Sequence, residues 1–367
     1  MYIYENLQWP NFTWNFNGIA ELLSNVRHKQ GKLIGRMQGL GFEFQNEAVF
    51  EFITQDILKT SEIEGEILPD DQVRSSLAKH LGITLNNPVA VGQKINGIVQ
   101  LLLDATQNFK KSLTQQRMFD WHAGLFPTGR SGIRKIQIGI WRSDSDGPMQ
   151  VVSGPMGKKK VHFQAPLADK IDSEITAFLK WFNEEEQKLD PVLKAAIAHL
   201  WFITIHPFED GNGRIARAIT DMALARSENI PQRFYSMSAQ IQKERKDYYH
   251  ILESTQSGSL DITLWLNWFL NCMERAINGA HETTEKILWK ANFWHSTRAK
   301  NLNQRQEFML NLLIDGFKGK LTTSKWATLG KCSQDTALRD IQDLVNRGIF
   351  VKDLAGGRST SYFLKRE

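Results

Sequence analysis

The sequence predicts a mostly α protein: a helical core interrupted by a β-hairpin, followed by a C-terminal winged-helix (α+β) domain. Three observations carry that expectation. Long apolar stretches without glycine or proline open on capping residues, as where Asp190-Pro191 precedes Val192 to Ile205. One pair of period-two apolar segments flanks an Asp-Gly turn. The stretch from Asn301 to Glu367 reads as helix, helix, helix and two strands, and holds eleven basic against seven acidic residues, four of the chain's net +5.

Composition sets the outer bounds. With 367 residues, 41% hydrophobic and 23% charged, the chain is long enough for two or three domains and ordinary for a soluble globular protein. No run of about 18 uncharged apolar residues occurs, and Met1 to Asn15 lacks the basic-then-apolar order of a signal peptide, so a cytoplasmic protein without membrane contact is expected. The two cysteines, Cys272 and Cys332, have no CxxC spacing, which excludes a zinc or disulfide framework and suggests buried free thiols.

The elements follow in order. An aromatic arm, Tyr4 to Trp14, precedes a helix from about Ile19 to Met37, and its rings are expected to pin it to the core. A second helix runs from about Asn46 to Leu58 and leads into Thr60-Ser61-Glu62-Ile63-Glu64-Gly65. The hairpin is expected from Lys135–Trp141 paired with Met149–Ser153 around Asp146-Gly147. Two strands alone are marginally stable, so it should borrow support or lend an edge to an extended partner segment. Lys158-Lys159-Lys160 reads as a solvated run. Arg245 to Gly258 is helix-like, and Trp265, Trp268 and Phe269 are expected in the core.

The most informative stretch is His206-Pro207-Phe208-Glu209-Asp210-Gly211-Asn212-Gly213-Arg214-Ile215-Ala216-Arg217. Pro207 ends the helix before it, and Gly211 and Gly213 are expected to turn the chain with positive φ before a second helix opens near Asn212. That geometry delivers free amides at a helix N-terminus, and Arg214 and Arg217, three apart, project from one face beside them. An anionic phosphate group is matched by such a set of amides, cations and a metal-seeking carboxylate. Histidine, with an ordinary pKa of about 6.5, can take a hydroxyl proton at neutral pH. Singly, each residue has a bland reading as a helix-end or solvated side chain. Six fixed positions together would arise by chance with a probability on the order of 10⁻⁵.

The segment resembles the motif of the Fic family, His-x-Phe-x-(Asp/Glu)-Gly-Asn-Gly-Arg-x-x-Arg, without a mismatch. The resemblance implies a Fic-type helical core and transfer of AMP from ATP to a Ser, Thr or Tyr hydroxyl of a target protein, or of the chain itself, with release of pyrophosphate and help from Mg²⁺. By that resemblance His206 is the general base, Asp210 the Mg²⁺ ligand, and Gly211, Asn212 and Gly213 the anion-binding turn. Arg214 holds the outer phosphates and Arg217 the γ-phosphate. Thr60 to Gly65 resembles the family's inhibitory motif, (Ser/Thr)-x-x-x-Glu-(Gly/Asn), so Thr60, Glu64 and Gly65 imply autoinhibition with Glu64 paired bidentately to Arg217. The bland alternative there is an acidic helix end in water.

The hairpin corresponds to the family's flap over the nucleotide, which puts Val152, Ser153 and Gly154 nearest it; the alternative is a mere connector. Tyr248, Tyr249 and Gln256 become candidates for the adenine pocket, against a reading as core. The aromatic arm and winged helix together resemble one bacterial subgroup of the family. The implied organisation is 1–110 for the arm and helices with the inhibitory motif, 111–280 for the catalytic core, 281–300 for a helical linker and 301–367 for the winged helix-turn-helix domain. A homodimer is a further expectation.

A reading of another class is a winged-helix DNA-binding regulator, with Arg339 and Arg347 on the third helix of that domain and Arg358 on its wing. Asp335, Asp340 and Asp343 on the same helix weigh against it, because acidic side chains repel phosphate. A third is Fic-type transfer of another phosphate-containing group.

Overall fold

Residues 1–39, 42–85, 87–145, 147–154, 160–184, 189–296, 301–314, 317, 319–353 and 360–365 are described by a computed structural model. They divide into two compact units, 1–284 and 285–367. In the first, the capped apolar stretches fold as helices α1 (Phe16–Gln38), α2 (Phe42–Ile63), α3 (Asp70–Leu81), α4 (Gln93–Gln107) and α5 (Gln115–Leu125). Short strands follow: β1 (Arg130–Ser131), β2 (Arg134–Lys135), β3 (Gln150–Ser153) and β4 (Lys160–Gln164). Helices α6 (Ile171–Asn183), α7 (Pro191–Ile205), α8 (Asn212–Glu228), α9 (Met237–Lys243), α10 (Arg245–Gln256) and α11 (Thr263–His295) complete the run, the last spanning the division between units.

α7 is the buried axis of this unit. Asp190 caps it by accepting from Val192 N at 2.8 Å, Pro191 opens it, and every residue from Ala195 to Ile205 is buried. Small residues let its neighbour come close: Ala195, Ala196 and Ala198 in α7, and Ala216, Ala218, Ala223 and Ala225 in α8, are all buried. α4 and α5 cross still more tightly, at Gly97 and Gly124, where a Cβ on Gly97 would fall on the Gly124 backbone. As expected, Trp265 and Phe269 are core residues, whereas Trp268 is only half-buried, and the Trp265 indole N–H donates to Ala196 O. The aromatic arm is pinned at both ends: Trp9 and Phe12 lie edge-on to Trp201, while Tyr2 and Tyr4 lie edge-on to Phe163 of β4. Cys272 is buried, but Cys332 is only half-buried.

The hairpin is real, but its partner strand differs from the expected one. β3 pairs antiparallel with β4, from Gln150 opposite Gln164 to Ser153 opposite Lys160, with a bulge between Val151 and Val152. Residues 136–141 form no strand, because Gly139 sits at φ +67° and its N–H is used by His122 Nδ1. Their alternating isoleucines do not share a buried face either: Ile136 is buried, while Ile138 and Ile140 are exposed. Asp146 of the expected turn, and Lys158 and Lys159 of the basic run, lie outside the described residues.

The second unit contains α12 (Gln304–Ile314), β5 (Leu321–Thr322), α13 (Thr323–Leu329), α14 (Gln334–Asn346), β6 (Phe350–Lys352) and β7 (Ser361–Leu364). Its core is Met309, Leu310, Leu321, Trp326, Ala337, Ile341, Leu344, Ile349 and Phe350. The three strands pair antiparallel in the order β5-β7-β6, so β5 adds a strand that its two-residue length hid in the sequence. Arg358 lies outside the described residues.

Gly97→Ala should therefore destabilise the fold by about 3 kcal/mol or more, at the upper end of overpacking costs. Gly31→Ala, in an open helix position with nothing within 4 Å, should stabilise it by about 0.5–1 kcal/mol. Denaturant midpoints of the two variants check the contrast, and equal shifts would contradict the close α4–α5 crossing.

Candidate functional site

α7 ends where its last residue hands over to proline. His206 takes the left-handed conformation at φ +51°, its N–H still donating to Phe202 O, and Pro207 has no N–H to continue the helix. The turn that follows is tied down by one buried side chain. Asn212 is 2% exposed; its Oδ1 accepts from Phe208 N at 3.0 Å and its Nδ2 donates to Phe208 O at 2.7 Å. The Asn212 side chain is thus a staple within the turn, and only its backbone faces outward as an amide of the first turn of α8.

The two glycines have different reasons, which corrects one expectation. Gly211 does turn with φ +82°, and a Cβ there would also press on the Phe126 ring at 2.9 Å. Gly213 is already helical. It must be bare because a Cβ would run into the Glu64 carboxylate, beside Arg217.

Asp210 is held from two sides. Its Oδ1 accepts from Gly211 N at 2.6 Å and its Oδ2 from the Ser131 hydroxyl of β1, leaving the side chain 40% exposed at the cavity wall. Two residues that sequence reasoning missed brace the turn from behind. His122 of α5 stacks on Phe208 with centroids 4.2 Å apart, accepts from Gly139 N on Nδ1 and meets Asp210 O through Nε2. Arg142, 4% exposed, donates to His206 O at 2.8 Å and to Pro166 O, and pairs with Asp144. Neither sits in a motif, so no local pattern marks them.

Burial keeps the His206 ring neutral. Desolvation is the main cause and pulls its pKa down to about 4, with Arg142 adding to the fall and the hydrogen bond from Nδ1 to Ile203 O, Glu64 and Asp210 opposing it. The ring nevertheless lines the cavity and is only part-buried by exposed area.

The cavity holds about 650 Å³, the size of a small-molecule site. Its wall brings together Glu64, Val152, Ser153, His206, Asp210, Gly211, Asn212, Gly213, Tyr248, Tyr249 and Gln256. Gly154, Thr60, Gly65, Arg214 and Arg217 are not part of that wall. The two arginines lie behind carboxylates: Arg214 pairs with Glu66 at 3.2 Å and lies over the Phe126 ring, while Arg217 donates to Glu64 Oε1 at 2.7 Å. The Glu64 contact is single, where a bidentate pair was expected. Thr60 supplies two more contacts, accepting from Arg217 Nε on its hydroxyl and from Nη2 on its carbonyl, while the buried Nη1 has no hydrogen-bond partner among the described residues. Gly65, at φ +82°, turns the chain away, and Arg245 Nε caps the end of α2 on Ile63 O.

Of the proposed base-pocket residues, Tyr248 is both core and wall. It is 1% exposed and its hydroxyl is bonded to His199 Nε2 at 2.8 Å, whose Nδ1 meets Thr220. Burial pushes His199 down to about 3, helped by Arg217. Tyr249 is 37% exposed beneath the Arg245 guanidinium, and Gln256 donates to Thr204.

Residues 112–224 match the Fic/DOC family, and residues 2–83 match a domain of unknown function, DUF4172. This chain carries a Fic-family domain. It is 32% identical over 116 residues to a protein named protein adenylyltransferase Fic from Nematostella vectensis, covering 31% of this chain and 25% of that protein. A protein of the same name from Drosophila melanogaster is 33% identical over 102 residues, 28% of this chain and 19% of that one. The match thus spans a quarter or less of these relatives' length. Among solved structures, a Fic family protein from Desulfovibrio desulfuricans G20 superposes with a TM-score of 0.57 at 19% identity, over 98% of both chains. A Fic domain containing signaling protein from Bacteroides thetaiotaomicron does so at 0.53 and 22%, over 71% of this chain and 98% of that one. These two establish likeness of fold.

The neutral state of His206 can be checked directly. In an NMR titration of the protein without nucleotide, the ring-carbon shift should report protonation of the imidazole only near pH 4; a midpoint at or above 6.5 would contradict the burial that holds it down.

Proposed function

We propose that this chain is a protein adenylyltransferase, which moves AMP from ATP to a Ser, Thr or Tyr hydroxyl of a target protein and is restrained by its own α2. The observation that carries the reading is one cavity whose wall joins a neutral histidine, a carboxylate and the open first turn of α8. The likeness to adenylyltransferases over the Fic segment supports the choice of donor.

The chemistry follows from the residues. A hydroxyl entering beside His206 gives its proton to the ring, its oxygen attacks the α-phosphorus, and pyrophosphate leaves. At about 4 the free ring is a weak base, but the negative charge of a bound triphosphate favours the imidazolium and raises that value. The amides opening α8 face the charge that grows on the phosphoryl oxygens. Among the described residues no cluster of three or more His, Cys, Asp or Glu side chains forms a metal cage. Mg²⁺ does not need one, since it takes one or two carboxylates together with substrate phosphates and water, and half-exposed Asp210 fits that role. When bound there, the ion would offset phosphate charge.

Restraint follows from Arg217. With Glu64 and Thr60 on its guanidinium, that cation is withheld from a γ-phosphate, and Glu66 does the same to Arg214. Among the described residues no helix is long and apolar enough to cross a membrane.

For the second unit we propose a winged helix, from the order of α12, β5, α13, α14, β6 and β7 and its three-stranded sheet. Asp340 and Asp343 point back onto Arg305, Gln306 and Arg347, so they do not load the outer face of α14. That face holds Asp335, Leu338 and Arg339, with Leu338 44% exposed, which suits docking of a protein better than of phosphate.

Two outcomes test the enzyme reading. Incubated with ATP and Mg²⁺, the chain with Glu64→Gly should incorporate AMP roughly ten- to a hundredfold faster than the native chain, the worth of a charge-assisted hydrogen bond of ~1.5–3 kcal/mol. Adding His206→Ala should lower the rate by roughly 10²–10⁴. Intact-protein mass reads both; equal rates for native chain and Glu64→Gly would remove the restraint, and a gain indifferent to His206 would remove the mechanism. Gel retardation of DNA by the full chain should be absent at physiological salt, and a salt-dependent shift would favour the regulator reading instead.

A further inference from the structure

The β1–β2 hairpin stands beside the cavity on two contacts. The Ser131 hydroxyl donates to Asp210 Oδ2, and Arg134 Nη2 lies 3.9 Å from Glu209 Oε2; both acids line the cavity. The base of the hairpin is anchored, because Ile136 N donates to Gly129 O at 3.0 Å and the Ile136 side chain is buried. Its tip is uncovered. A Cβ on Gly129 or Gly132 would meet nothing within 4 Å, and Ile133, in the turn between the strands, is 96% exposed.

The charge pattern of this tip calls for a partner. Ser131 pairs across the hairpin with Arg134, and Arg130 with Lys135. The first pair turns toward Asp210 and Glu209, so by strand alternation Arg130 and Lys135 occupy the other face. Like charges directly opposite on two strands repel, and these two side chains are exposed with no ion pair among the described residues. Arg130 uses one N–H on Ile133 O at 3.0 Å, which fixes the turn and neutralises nothing. A mere connector gains nothing from two unneutralised cations beside a bare isoleucine. A carboxylate between the cations and an apolar side chain on Ile133 would remove both penalties at once. Nucleic acid could answer the cations, but a phosphate backbone has nothing to lay on the isoleucine.

We propose that the β1–β2 tip docks the target protein, taking an acidic residue between Arg130 and Lys135 and an apolar residue on Ile133, close to the hydroxyl to be modified. That this partner is the target rests on the adenylyltransferase reading and on position. Ser131 touches a cavity carboxylate and Ile133 is two residues further on, about 7 Å at strand spacing, so a chain held at the tip runs past the cavity mouth. The tip selects targets by local charge and takes no part in the transfer itself.

Short synthetic peptides test this on the full Glu64→Gly chain with ATP and Mg²⁺. One set carries a central Ser, Thr or Tyr flanked by Asp, Glu and Leu, and a matched set has Lys in place of each acid. The acidic set should be modified with a kcat/KM roughly tenfold higher, mainly through KM, the scale of one charge-assisted contact. Arg130→Glu with Lys135→Glu should reverse the preference, and Ile133→Ser should raise KM for the acidic set more than it lowers kcat. Equal use of the two sets, a preference that survives the double variant, or AMP gained by the chain alone would overturn the inference and leave adenylyl transfer standing. No AMP on any acceptor would sink the enzyme reading and the target role of the tip with it. A DNA oligonucleotide bound more tightly than the acidic peptides, and released by the double variant, would give the tip to nucleic acid instead.

Discussion

Arg217 is a cation 3% exposed, and the need to satisfy it organises much of this fold. An unpaired guanidinium in such a place would cost several kcal/mol, so partners must be brought to it. They come from a helix more than 150 positions earlier: the Thr60 hydroxyl and carbonyl and the Glu64 carboxylate at the end of α2. That contact sets further requirements nearby. Gly213 must be bare to admit Glu64, the end of α2 is capped by Arg245, and Gln242 and Lys59 hold Glu62 beside it. In the proposed enzyme the group that stabilises the resting fold is therefore the group that catalysis has to recruit. Restraint and stability share one interaction.

The turn after α7 obeys a complementary rule. Its backbone is over-determined from every side, by Asn212 within the turn, by Arg142 on the His206 carbonyl, by His122 on Asp210 O and under Phe208, and by Phe126 against Gly211. A site that stabilises developing charge through fixed amides needs this rigidity, since dipoles that must reorient lose most of their effect. Among the described residues, the hairpin opposite is held by the Glu253 contacts and by the buried Phe163 ring with the edges of Tyr2 and Tyr4 against it.

How much of this was legible follows from how local each signal was. Caps, proline and apolar runs act within a few residues, so α7, α8 and the helix order of the second unit could be read directly. The glycine-rich turn was legible because backbone geometry and chemistry coincide there. The pairing of β3 failed because alternation in residues 136–141 imitates a strand, whereas Gly139 bends that segment away to serve His122. Gly213 was misjudged because its reason is a side chain from α2 and not its own φ. His122, Arg142 and Ser131 carried no pattern at all. Their importance comes from contacts across 64 to 88 positions, which periodicity cannot report.

We propose that Glu64 occupies, on Arg217, the position that the tail of a triphosphate would take. Crystals of the native chain and of Glu64→Gly, each grown with Mg²⁺ and a non-hydrolysable ATP analogue, test it most directly. A γ-phosphate is expected on Arg217 in the variant, and a displaced or disordered one in the native chain. A γ-phosphate bound identically in both, or an analogue held away from His206, Asp210 and Arg217, would contradict it.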